Sequence, residues 1–306
     1  MHGAVEKLGH GAYSADLIST LCIGNVPHGG FLAFVFLEAT KAYLQKEVHQ
    51  NIMLGHWEFL FPTKVGRAIL LVEEVKTGKR MSVLHIKLYQ GDISENAPWI
   101  KSSSYAATTA YITAETSEIN IGVSIPTGWH SAPSSMPKLR LLPPAGDGDW
   151  QRLHVPPVAK ALQHVEFYVL SSQDPTLATR DYWIRLAGGG NFSNASLGFV
   201  CDVGPPVFID SFRSAAEKTV ARSSSKRDSW YPTLVMDMQT KQQLPEMGIE
   251  WLRLRFQSKV VHNDRLDVEV LVFDELGDLI TISHHVVMIV DMEQKNTARG
   301  EQKASI

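Results

Sequence analysis

The segment Pro27-His28-Gly29-Gly30-Phe31-Leu32-Ala33-Phe34-Val35-Phe36-Leu37-Glu38-Ala39-Thr40-Lys41-Ala42-Tyr43-Leu44 decides how this chain is built. Pro27 to Gly30 is a turn signal, and the residues after it contain no Gly or Pro and almost nothing polar before Glu38. A surface helix carries one apolar stripe, whereas residues 31–44 are apolar nearly all round, so the pattern predicts a helix enclosed by other elements. Strand-like runs at 53–61, 68–76, 82–89 and 102–113 follow it, with turn signals at Gly66, Thr77-Gly78 and Gly91-Asp92. Another such run, 13–23, precedes it.

The same order of signals recurs downstream. Runs at 165–170 and 182–186 are strand-like, Gly188-Gly189-Gly190 breaks the chain, and 192–203 is the helix candidate, ended by Gly204-Pro205-Pro206. Strands are then expected at 233–240, 251–261, 267–274 and 279–290, the last two joined by the turn Glu275-Leu276-Gly277-Asp278. Residues 121–158 are rich in Pro, Ser and Gly and read as a crossover between domains. The division is an N-terminal domain 1–118, a crossover 119–160, a C-terminal domain 161–292 and a polar tail 293–306. One buried helix with several long antiparallel strands, twice over, is an α+β pattern. Order alone leaves open two unrelated α+β domains.

Bulk properties narrow the field. A length of 306 residues with 44% hydrophobic and 20% charged residues suits two ordinary globular domains. The formal net charge of -3 supplies no basic footprint, which argues against nucleic acid and anionic membrane as partners. The longest apolar runs fall far short of a bilayer span. Residues 1–16 lack the basic start and apolar core of a signal peptide, and two cysteines, Cys22 and Cys201, do not make a disulfide framework. The sequons at Asn191 and Asn194 then read as chance. Ala304-Ser305-Ile306 does not match the peroxisomal tripeptide, so the expected location is cytoplasmic, with the peroxisome left open.

Particular residues carry a resemblance. His56-Trp57-Glu58-Phe59-Leu60-Phe61-Pro62, then Gly66, then Val75-Lys76-Thr77-Gly78-Lys79-Arg80-Met81-Ser82, resembles the first domain of the acyl-CoA thioesterase II family. His28-Gly29-Gly30-Phe31 resembles the Gly-Gly opening of that domain's central helix. In the second half Asp237, Pro245, Glu250-Trp251, Arg265 and Gly277 match without insertion, and Phe199-Val200-Cys201-Asp202 resembles the end of the second central helix. The resemblance implies a double hotdog: two fused domains, each an antiparallel sheet wrapped around one helix, joined edge to edge. It also implies a catalytic Asp, Thr and Gln that orient a water toward a thioester carbonyl. Asp202 fills the first place; the matching register puts Val235 at the Thr position and His285 at the Gln position.

The residues themselves suggest what each could do. Asp202 ends an apolar segment, where a carboxylate is costly unless hydrogen-bonded or functional; the competing reading is a solvated Asp at a helix end. His284 and His285 are consecutive in a strand and must face opposite sides; the register turns His285 inward, where it could form an acid–base pair with Asp202. His56 matches a family His near the cavity, and His28 stands at the same entrance. Gly29 and Gly30, opening a helix, offer N–H groups for an oxyanion or serve helix–sheet packing. Glu38 is an outlying acid–base candidate. No Gly-x-Ser-x-Gly is present, Gly188-Gly189-Gly190 lacks the Lys of a phosphate loop, and no His pair has ligand spacing with an acidic partner, so neither metal nor organic cofactor is expected.

Three functions compete on these grounds. The first is hydrolysis of an acyl thioester, on coenzyme A or a carrier, by Asp202-activated water. The second is a lyase, isomerase or cyclase acting on a polyketide or terpenoid intermediate by Asp–His acid–base chemistry. The third is a non-catalytic acyl-binding module. The partner in each is a small acyl or polyketide-like molecule, with a second copy of the chain as a further option.

Overall fold

The structure, a computed structural model, describes residues 5–9, 11–44, 49–91, 105–116, 123–125, 127, 129, 131, 136–174, 177–204, 208–209 and 229–291. The expected tail 293–306 lies outside them. The first half contains β1 (Glu6–Gly9), β2 (Ala12–Leu17), β3 (Cys22–Ile23), β4 (Val26–Pro27), α1 (Gly29–Leu44), β5 (His49–Phe59), β6 (Gly66–Thr77), β7 (Met81–Tyr89) and β8 (Thr108–Thr116). The second contains β9 (Trp150–Arg152), β10 (Val165–Leu170), β11 (Thr179–Leu186), α2 (Leu197–Asp202), β12 (Ser229–Trp230), β13 (Thr233–Thr240), β14 (Leu252–Gln257), β15 (Val261–His262), β16 (Arg265–Phe273), β17 (Leu279–Met288) and β18 (Val290–Asp291).

One antiparallel sheet runs through both halves in the order β1-β2-β6-β7-β8-β5-β13-β17-β16-β14-β11-β10-β9. The halves join where β5 pairs with β13, Trp57 opposite Met236 and His56 opposite Asp237. Each half thus covers an edge of the other, which removes two strands that would otherwise invite pairing with another chain. The two helices sit on the concave side. Every residue of α1 from Gly30 to Leu37 is buried, which is what its all-round apolar sequence requires. The core formed with Leu70, Ile86 and Ile112 continues without a break into the second half through Phe199, Leu254 and Val268.

α1 meets α2 at small residues. A Cβ on Gly30 would lie 2.9 Å from the Phe199 carbonyl oxygen, and one on Gly198 would lie 3.1 Å from the Ala33 Cβ. The glycines are therefore needed where helix meets helix, a packing role different from the helix–sheet contact expected for Gly30.

Among the elements that differ from their sequence readings, three matter most. The second helix does not begin at Phe192, which instead bridges Ile249. Its first expected turn is spent on local bonds: the Ser193 N–H donates to Ser196 Oγ, and the Asn194 amide exchanges bonds with Leu244. Such side chains compete with helical bonding, so α2 covers only Leu197–Asp202. The run 13–23 breaks at a 3-10 turn, Ser19–Leu21. The crossover is more than a linker: Trp150 joins Leu142, Tyr168, Leu170, Trp183 and Trp251 in a second apolar cluster on the convex side, and β9 pairs with β10. Beside it Asp181 is buried with Arg253, and accepts bonds from Arg253 Nη1 at 3.1 Å and from Arg255 Nε and Nη2 at 3.0 and 2.7 Å. Both arginines also donate to Ser131 of the crossover. No helix among the described residues is long and apolar enough to cross a membrane.

Candidate active site

Asp202 is the last residue of α2 and is buried. Two neighbouring elements hold its carboxylate. The Gly30 N–H, in the first turn of α1 and so without a partner inside its own helix, donates to Oδ2 at 2.7 Å. Thr233 at the start of β13 donates its hydroxyl to Oδ1 at 3.1 Å. Two histidines flank the carboxylate: His28 Nε2 lies 3.4 Å from Oδ2 and His285 Nδ1 lies 3.6 Å from Oδ1. The close approach extends to Gly29, where a Cβ would stand 2.8 Å from Oδ2.

This group borders a cavity of about 260 Å³ at the junction of the halves. The first half contributes Ile23, His28, Gly29, Phe59 and Phe61; the second contributes Asp202, Tyr231 and Thr233. The walls are mostly apolar, with His28 and Thr233 beside Asp202 among the polar groups, an arrangement suited to an apolar ligand that presents one reactive polar group. Among the described residues no cluster of three or more His, Cys, Asp or Glu could hold a metal ion.

The sequence candidates divide. Asp202, Gly29, Gly30, His28 and His285 come together, although His285 lies fully covered behind Asp202 rather than on the cavity wall. Two candidates do not join them. His56 alternates with buried Trp57 along β5 and so faces the convex side, where its Nδ1 is 2.6 Å from Asp237 Oδ1. Strand alternation makes this unavoidable once Trp57 is in the core. Val235 is also turned outward, opposite Glu58 and Val286. A register shift between Thr233 and Val235 changes the parity of β13, so the residue two positions earlier enters the site. The hydroxyl that the matching register removed is thus supplied by Thr233. Glu38 is half-buried on α1, away from the cavity lining, with burial pushing its carboxyl up against the opposing effect of Lys41.

Burial decides the charge of both histidines. It lowers the His28 pKa against the opposing pull of Asp202. It pushes His285 from 6.5 down to about 4, Asp202 again opposing. Both rings are therefore neutral at pH 7. Unfolded, His285 binds its proton near pH 6.5 and folded only near 4, so the unfolded chain holds more protons between these values. The stability contribution is complete above about pH 6.5 and is lost as pH falls toward 4, about 3 kcal/mol in all. Denaturant melts from pH 7 to pH 4 should show the wild type losing stability more steeply than His285→Gln, with His28 leaving a residual slope of the same sign. Parallel curves would mean that His285 carries no such coupling.

Models of the acyl-CoA thioesterase N-terminal and C-terminal domains match residues 17–114 and 137–289. The chain is 32% identical over 330 positions to the thioesterase-like protein TwmA of Talaromyces wortmannii, covering 98% of this chain and 94% of that protein. A hot dog fold protein of unknown function from Alicyclobacillus acidocaldarius superposes with a TM-score of 0.68 at 17% identity, over 94% of this chain and 96% of that one. The acyl-CoA thioesterase II TesB2 of Mycobacterium marinum does so with a TM-score of 0.64 at 13% identity, over 94% and 96%. At such identities these structures speak to the fold alone: it is the hotdog fold in its two-domain form.

Proposed function

The chain belongs to the acyl-CoA thioesterase family, and on that premise we propose that it hydrolyses an acyl thioester with a water deprotonated by Asp202. The observation that carries this reading is a buried carboxylate, fixed by the Gly30 N–H and the Thr233 hydroxyl, at the edge of an apolar cavity between the halves. Thr233 spends its proton on Asp202, leaving its oxygen lone pairs to accept from the attacking water. Gly29, at the positive end of α1, lies beside the carboxylate, and its N–H group suits the oxygen of a tetrahedral intermediate. The apolar walls take the acyl group. Fluorescent or chromogenic detection of free thiol from a panel of acyl-CoA and acyl-pantetheine thioesters tests the reaction; release well above the uncatalysed rate is expected for at least one acyl group.

A second reading has one observation in its favour. His28 and Asp202, from opposite halves, meet at 3.4 Å on the same cavity. A neutral imidazole beside a carboxylate is also competent to move a proton from carbon and return one to oxygen, as in elimination or cyclisation of a polyketide-like chain. Consumption of such a substrate without thiol release would favour it.

A further inference from the structure

Behind Asp202 the protons of His285 are assigned by its neighbours. Ser283 Oγ lies 2.6 Å from the main-chain carbonyl oxygen of Asp237. That oxygen can only accept, so the single hydroxyl proton of Ser283 points at it. Ser283 Oγ is also 2.9 Å from His285 Nε2 and, having no second proton, must accept there. Nε2 therefore carries the proton of the neutral ring. Nδ1 is left bare, buried and, among the described residues, without a hydrogen-bond partner, 3.6 Å from Asp202 Oδ1.

We propose that His285 is a positioning residue whose bare Nδ1, locked by Ser283, accepts a hydrogen bond from the Asp202 carboxyl group once that group has taken a proton from water. Two lone pairs facing each other across a buried gap repel; one proton on the carboxyl group turns that repulsion into an O–H···N hydrogen bond. That bond is available only once Asp202 has taken the proton of the water. In the step itself an O–H bond of water breaks, an O–H bond forms on Asp202, and the water oxygen bonds to the carbonyl carbon. When the intermediate collapses the C–S bond breaks and the proton passes from Asp202 to the departing sulfur. His285 takes no proton at any stage and does not touch the substrate.

The kinetic part of this inference rests on the hydrolytic reading; the tautomer does not. Nitrogen-15 NMR of the wild-type protein labelled at histidine tests the tautomer directly at pH 7. Expected are a pyrrole-type Nε2 and an imine-type Nδ1 for His285, and the opposite pattern overturns the proposal whether or not the protein hydrolyses anything. Ser283→Ala removes the lock, so the ring can turn its proton toward Asp202 and stabilise the carboxylate anion instead. The expected result is an acid limb of the kcat/KM profile displaced to lower pH by about one unit or more, with a lower plateau. Ser283→Thr, which keeps the hydroxyl, should retain the wild-type limb. The groups facing His285 are Asp202, Asp237, His28 and the adjacent His284, and both substitutions leave them in place. An acid limb unmoved in folded Ser283→Ala overturns the positioning role; where that variant fails to fold, the wild-type NMR pattern decides alone.

Discussion

Replacing Asp202 with Asn should lower thioester turnover by at least about a hundredfold, the scale of a lost general base, while the protein melts within about 2 °C of the wild type. The separation of the two effects follows from the bonds around the side chain. An asparagine oxygen can still accept the Gly30 N–H, and its NH₂ can donate to the bare Nδ1 of His285 or to Thr233. No buried polar group loses its partner, so the fold has no reason to suffer. The amide, however, cannot take a proton from water. Steady-state kinetics on the best thioester found in the panel, together with a thermal melt, checks both halves. Turnover like that of the wild type would reduce Asp202 to a structural residue.

The largest expected loss of stability lies away from the cavity. Asp181→Ala should destabilise the protein by about 3–5 kcal/mol, the usual cost of removing one partner from a buried ion pair, lowering Tm on the order of 10 °C. Arg253 is only 1% exposed, its guanidinium packed 3.8 Å above the ring of Phe273, and it cannot reach bulk water when its carboxylate is gone. Arg255, less covered, can turn outward. The pair as such contributes much less than this figure, because burying both ions cancels most of their attraction. Asp181→Leu combined with Arg253→Met should therefore melt closer to the wild type than Asp181→Ala does. Differential scanning calorimetry of the three proteins decides the matter: equal losses in single and double variants would mean that packing, and not the stranded charge, sets the cost.

Much of this architecture was legible in the chain because it depends on local pattern. The run from Phe31 to Leu37 has no polar face, and an apolar helix must be enclosed whatever its neighbours are. Alternation in segments such as Met81–Tyr89 assigns one face inward and one outward. A carboxylate ending the apolar stretch Leu197–Asp202 is costly enough to mark itself. His56 could have been placed by the same means, since Trp57 beside it is the better core residue and the two must face opposite ways.

What the chain by itself determined, then, was the two wrapped helices, the antiparallel strands and Asp202 as the group to watch. The tertiary structure alone decided which residues surround it. A one-residue irregularity in β13 puts Thr233 and Val235, which strict alternation would place on one face, on opposite faces, and no periodicity announces such a shift. The contacts of Asp202 with Gly30 and His28 span 172 and 174 positions and exist only because α1 and α2 cross at glycines and the halves share a sheet. The burial that keeps His285 neutral comes from that same packing. A residue's type travels with the sequence, but its protonation and its partners depend on what the fold brings against it, and here that is the opposite half of the molecule.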